Sequence, residues 1–288
     1  MESNYSATAG DFEAIEEALN FVFDPALHHI FKNRKYLKKI SVISFDNKFL
    51  YIWSFKKIKN SKPWKKLPQK CFMYRIYHNI EITKTDRSGW KAGVWPELIY
   101  EYLPKELLGN DFDYPKISGS LLGDFLNNQK KIYGETDNPY AIKEGYLATI
   151  VHEYGHLYYQ LHKNWWFSNK KYNLDLLKSS LFLYVNKKTR VRPDLCIPSP
   201  FFFSEIFAFC CEYEAGRLFL AEFKKMLDRY VAIDLKEAIN QEKKKNLESE
   251  DSVLNQNTTN IIAFVWGKIL VEKFPRTWPS KLLEKIKI

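Results

Sequence analysis

Residues 149–158 read Thr-Ile-Val-His-Glu-Tyr-Gly-His-Leu-Tyr and contain the motif His152-Glu153-Tyr154-Gly155-His156. On a helix, positions i and i+4 lie one above the other on the same face. His152 and His156 can therefore offer two imidazoles to one metal ion. Glu153 is rotated by about 100° from His152 and can take a proton from a water beside the metal without ligating it. Two metal-binding histidines with an adjacent general base are the minimum apparatus of a zinc hydrolase. With six histidines in 288 residues, such a motif arises by chance in about one chain in a hundred. The surroundings favour a helix. Asp137-Asn138-Pro139 supplies an N-cap and a proline suited to the first turn, and no proline follows before His162.

A catalytic zinc needs a third protein ligand, and two residues compete for that role. His162 has the spacing of H-E-x-x-H-x-x-G-x-x-H, in which a glycine turns the chain sharply out of the helix. Tyr159 holds the glycine position here, and a bulky residue at positive φ is disfavoured. If the helix continues, His162 faces away from His156. No methionine suggests a Met-turn, since Met226 lies in a charged helical stretch. The second candidate is Glu205, a carboxylate in the nearly apolar run Phe201 to Cys211. Burying that charge requires a strong partner, either a metal or an arginine such as Arg190, Arg192 or Arg217. Ala208 follows on the same face, and Ala148, Thr149 and Gly155 are matching small residues near the motif, so the two helices could approach closely. Glu212 lies one turn further on, where it could orient a ligand histidine or face solvent.

With these two parts in place, the chain resembles the gluzincin metallopeptidases, which pair H-E-x-x-H on one helix with a Glu-x-x-Ala ligand motif on a following helix. The matching residues are His152 to His156 and Glu205-Ile206-Phe207-Ala208. Within that clan, the aromatic residue in the motif and Ser204 before Glu205 are most similar to the lethal-factor-type peptidases. The resemblance covers residues 138–220. It departs from the family in lacking an obvious tyrosine over Pro198 to Phe203, and in having Phe209 where some gluzincins carry an acidic residue. The resemblance implies an α+β, zincin-like fold, with a small N-terminal β-sheet, an active-site helix and a mainly helical C-terminal part. It also implies a zinc metalloendopeptidase that uses Zn2+ to cleave a peptide or protein substrate. His152, His156 and Glu205 would be the metal ligands, and Glu153 the catalytic residue. Tyr184, Arg190 and Arg192 are candidate oxyanion donors. The alternative is a catalytically inactive zincin-fold regulator or binding module.

Length and composition bound the rest. A 288-residue chain with 45% hydrophobic and 16% aromatic residues has ample material for a core. Lys and Arg number 44 against 34 Asp and Glu, a net charge of +10. The excess reads as many short clusters, such as Lys65-Lys66 and Lys243 to Lys245. With no recognisable nucleic-acid module, this argues against nucleic acid as a partner. The four cysteines form no C-x-x-C pair, so they suggest no structural zinc site. No apolar run reaches the 18 or more residues of a membrane span. The start lacks a basic, then apolar, signal. A cytoplasmic location is expected, with non-classical secretion left open.

Along the chain, residues 1–10 read as a loose start. Asp11 to Phe31 reads as helix broken at Asp24-Pro25, and Lys39 to Phe55 as a hairpin turning at Asp46-Asn47-Lys48. Residues 71–83 alternate as a strand. A strand near 129–134, just before the motif helix, would suit a zincin as the edge that receives substrate. Later segments read as helical, with one run over 201–230. The expected division is an N-terminal part over 1–135 and a helical part over 136–288 that carries the metal site. The two could form one zincin domain together.

Overall fold

The computed structural model describes residues 5–58, 61–78, 90–92, 115–133, 138–163, 200–245 and 256–283. It is a mixed α+β structure, with a sheet built from the first half of the chain and helices elsewhere.

Helix α1 spans Ala9–Val22 and buries Ala14, Ile15, Ala18, Leu19 and Val22, the spacing of a helix with one apolar face. Its start is tied down. The Asp11 carboxylate accepts the Thr8 backbone N–H at 2.7 Å, the Tyr5 hydroxyl at 2.7 Å and the Gly123 N–H at 3.0 Å. Residues 5–8 are therefore held in place, contrary to the loose start expected from sequence. Asp24 and Pro25 break the helix as expected. The Asp24 side chain caps a short 3-10 turn, Pro25–Leu27, and the four-residue helix α2 follows at Arg34–Leu37.

Strands β1 (Ser41–Phe45) and β2 (Phe49–Ser54) form the expected hairpin. Its turn is organised by Asp46, which accepts the N–H groups of Lys48 and Phe49, both at 2.8 Å, and the Tyr51 hydroxyl at 2.7 Å. Two-residue β3 (Lys65–Lys66), β4 (Phe72–Tyr77), β5 (Trp90–Ala92) and β6 (Lys116–Ser120) complete six strands in the order β3-β4-β2-β1-β6-β5. The β1–β6 pair is parallel and the others antiparallel. Alternate residues of β1, β2 and β4 divide between two faces. Val42, Tyr51, Trp53 and Met73 join the main core, while Ile43, Leu50, Ile52 and Tyr74 form a second cluster.

The strand expected near 129–134 is not there. Leu122–Tyr133 is a helix, α3. Its Leu122, Phe125, Leu126 and Ile132 recur at helical spacing, with Asp124 near the N-terminus and Lys130 and Lys131 near the C-terminus, where the helix dipole favours each charge. The strand that precedes the motif helix is instead β6. It lies inside the sheet, with β5 at the edge beyond it.

Helix α4 spans Lys143–Lys163. The Asn138 side chain accepts the Tyr140 N–H at 2.9 Å, which sets the Pro139–Ala141 turn that leads into it. Helices α5 (Pro200–Phe219), α6 (Ala221–Lys245), α7 (Gln256–Lys273) and α8 (Trp278–Leu283) follow. The run expected as one helix over 201–230 is broken at Leu220. There the Glu144 carboxylate accepts the Phe223 N–H at 2.8 Å, a cap at the start of α6. Helix α5 packs between α4 and α7, and α4 also meets α1, β5 and β6. Buried apolar residues from Ala14 on α1 to Leu283 on α8 form one continuous cluster. None of the described helices is long and apolar enough to cross a membrane.

Candidate metal centre

Helix α4 continues without interruption past Tyr159, which is fully buried. The turn that would bring His162 back toward His156 is therefore absent. His162 is exposed, with its ring 6.3 Å from those of Tyr36 and Tyr158. His152 and His156, by contrast, point together at α5, which brings Glu205 to them.

Close approach of the two helices depends on Gly155. A Cβ at this position would lie 2.9 Å from the Ala208 Cα and 3.1 Å from the Cys211 Sγ. On the far side of α5, a Cβ at Gly267 of α7 would meet Phe209 and Cys210 atoms at 3.2 Å. Glycines thus let α5 sit tightly between two neighbours. Arg217, weighed from sequence as a partner for Glu205, pairs instead with Glu214 at 2.6 Å. Arg190 and Arg192 lie outside the described residues, as does the third oxyanion-donor candidate, Tyr184.

The donor atoms converge. His152 Nε2 and His156 Nε2 are 3.1 Å apart, and they lie 3.7 and 3.5 Å from the Glu205 carboxylate oxygens. Tetrahedral zinc with bonds of about 2.0–2.2 Å sets its ligand atoms about 3.3–3.6 Å apart. The three groups fit a metal ion of that size, and among the described residues they are the cluster so arranged. The side chains are 11, 6 and 12% exposed, so the cluster is enclosed but not sealed.

The remaining imidazole nitrogens are also held. Glu212 Oε2 accepts from His152 Nδ1 at 2.7 Å, and the Tyr140 hydroxyl donates to Glu212 Oε1 at 2.7 Å. A carboxylate only accepts, so His152 carries a proton on Nδ1 and its Nε2 is directed at the cluster, where a metal ion would take the place of a proton. His156 Nδ1 meets the buried Ser204 hydroxyl at 2.8 Å, which orients its Nε2 in the same way. Phe209 packs against His152, ring centroids 4.6 Å apart. Glu212, two turns beyond Glu205, supplies the carboxylate that Phe209 cannot.

The site is electrostatically negative. Burial alone would lower the His152 pKa, but Glu205, Glu212 and Glu153 outweigh it and push the imidazole up to about 10. Burial alone would raise Glu205, and the neighbouring His156 and His152 hold it far below the usual carboxylate range instead. Surroundings that favour a proton at this point favour a metal cation in the same place. Glu153 follows His152 on α4 and is largely buried.

Reasoning from sequence did not single out Ser204 or Tyr140 for these contacts. Ser204 had one signal, a hydroxyl in an apolar run directly before the ligand candidate. Tyr140 is one of 18 tyrosines and had none. Comparison with protein-family models, curated proteins and solved structures gives no match.

Proposed function

We propose that the chain is a zinc-dependent metallopeptidase of gluzincin type on a zincin-like fold, hydrolysing peptide bonds in a peptide or protein substrate. The observation that carries this reading is the convergence of His152, His156 and Glu205 at 3.1–3.7 Å, with Glu153 on the same helix. When bound, zinc lowers the pKa of water toward about 7 and polarises the scissile carbonyl.

Each residue has a defined part in this reading. His152, His156 and Glu205 hold the ion. Glu212 and Ser204 fix the ring orientation of the two histidines, and Tyr140 steadies Glu212. Glu153 takes the proton from the attacking water and delivers it to the leaving nitrogen. Enclosure of the cluster limits bulk water, which strengthens every charge interaction there.

The test is cleavage of a peptide library by wild type and Glu153→Gln, each with and without a chelator. The expected result is chelator-sensitive cleavage by wild type and none by Glu153→Gln, with zinc retained in both. Full activity of Glu153→Gln would overturn the mechanism. Zinc binding without cleavage by wild type would favour an inactive zincin-fold binding module.

A further inference from the structure

Between residues 47 and 80 the sequence contains nine Lys or Arg and no Asp or Glu. This segment carries a net +9 in a chain whose total is +10. In sequence the cations look like scattered pairs, but the fold gathers the described residues of the segment, 47–58 and 61–78, into β2, β3 and β4 and the stretches beside them, at one side of the sheet. The opposite edge is β5, which with β6 contacts α4.

Within this region, aromatic rings and a guanidinium form a surface row. The Arg75 guanidinium carbon lies 4.7 Å from the centre of the Trp64 ring and 4.6 Å from that of Phe49. The Tyr77 ring meets Phe49 edge-on, 5.9 Å away. Trp64 is 48% and Tyr77 65% exposed, two of the four large apolar side chains that are exposed among the described residues. Trp64 is nevertheless braced from beneath, by Phe12 of α1 at 5.4 Å and Tyr51 at 6.2 Å. Exposed cations flank the row. Lys62 and Lys66 lie on either side of Trp64 in the chain, and Lys48 lies at the other end, its carbonyl accepting the His78 N–H at 2.9 Å. Lys65 pairs with Glu16 of α1 at 2.8 Å.

We infer that this face binds single-stranded nucleic acid, with Trp64 and Tyr77 stacking on bases and Arg75, Lys48, Lys62 and Lys66 contacting phosphates. The chemistry favours this occupant. A groove or face that combines cations with exposed aromatic rings is how single strands are bound without sequence preference. An acidic polypeptide would use the cations and leave the two exposed rings without a role. An anionic membrane would use the cations but calls for apolar side chains to insert, and among the described residues the other exposed large ones, Leu218 and Ile233, belong to α5 and α6. The inference is independent of the proposed peptidase activity and reverses the expectation drawn from scattered charge in the sequence.

The test is fluorescence anisotropy of the full chain with labelled 15-nucleotide oligo-U and oligo-dT, between 50 and 200 mM salt. Polyglutamate and vesicles containing phosphatidylserine serve as competitors. Affinity is expected to fall with salt, with a log–log slope of about −0.7 per phosphate contacted. Trp64→Ala and Tyr77→Ala keep the charge and are each expected to weaken binding by about 5- to 150-fold, with a folded circular-dichroism spectrum and zinc content retained. Trp64→Ala also loses its contacts with Phe12 and Tyr51, so binding is compared well below its lowered thermal midpoint. Chelation of zinc leaves binding intact, which separates this result from the fate of the peptidase reading. The inference is overturned if neither oligonucleotide binds, or if both aromatic variants bind as wild type does. Displacement by polyglutamate or vesicles that bind more tightly, and with the same dependence on Trp64 and Tyr77, would also overturn it.

Discussion

Replacing Gly155 by alanine probes how closely α4 and α5 must pack. The new Cβ would lie 2.9 Å from the Ala208 Cα, 3.1 Å from the Cys211 Sγ and 3.3 Å from the Cys211 Cβ. Carbon atoms prefer separations of about 3.5–4.0 Å, so the helices must part by roughly 0.6 Å or more at this point. The nearest obstacle is backbone, and no rotamer change relieves it. Overpacking of this kind costs about 1–3 kcal/mol, which the better helix propensity of alanine offsets by about 0.8–1.0 kcal/mol. Gly216→Ala is the control on α5, at a position that faces Phe223 and Lys224 of α6 rather than α4. There a Cβ meets nothing closer than 3.4 Å, so the propensity gain should survive nearly whole. The two variants are therefore expected to differ by about 1–3 kcal/mol, with Gly155→Ala the less stable. Because Glu205 moves with α5, zinc affinity should fall in Gly155→Ala and hold in Gly216→Ala. Urea denaturation and chelator competition measure the two quantities. Equal stability of the two variants, with wild-type zinc affinity in both, would refute the claim that this close approach builds the site.

Other outcomes follow from the same contacts. Glu212→Gln and Ser204→Ala should each weaken zinc binding by about 10- to 100-fold, read by chelator competition, with Tyr140→Phe acting in the same direction by a smaller factor. Glu144→Ala removes the cap on α6 at Phe223 and should cost about 0.5–2 kcal/mol in chemical denaturation. Asp46 sits below its usual pKa: burial alone would raise it, and hydrogen bonds from Lys48, Tyr51, Ala7 and Phe49 outweigh that. Its contribution is therefore full above the unfolded value of about 3.9 and is lost as pH falls through the lower folded value. Asp46→Asn should be less stable than wild type at pH 7 and show a shallower loss of stability below pH 4 in acid titration.

The parts of the site legible in sequence are those set by local geometry or by the cost of a buried charge. His152, Glu153 and His156 sit at one helical repeat, and Glu205 stands out as a carboxylate among phenylalanines. The packing of Gly155 against Ala208 was also legible, since small residues on two helices invite close approach. Tyr140 and Ser204 were not, because their roles depend on which tertiary neighbour each hydroxyl meets. The segment over 129–134 was misread because its place before the motif helix outweighed its periodicity, although Leu122, Phe125, Leu126 and Ile132 repeat as a helix does. The concentration of positive charge was present in the sequence as an acid-free stretch, but only the pairing of β2 with β4 and of β4 with β3 places the cations beside the exposed rings of Trp64 and Tyr77.

The most direct test of the metal centre is zinc content per chain, measured by elemental analysis after dialysis, for wild type, Glu153→Gln, Glu205→Ala and His162→Ala. The expected result is about one zinc in wild type, Glu153→Gln and His162→Ala, and little or none in Glu205→Ala. A wild type that holds no zinc, or a Glu205→Ala that keeps it while His162→Ala loses it, would contradict the assignment of His152, His156 and Glu205 as the ligands.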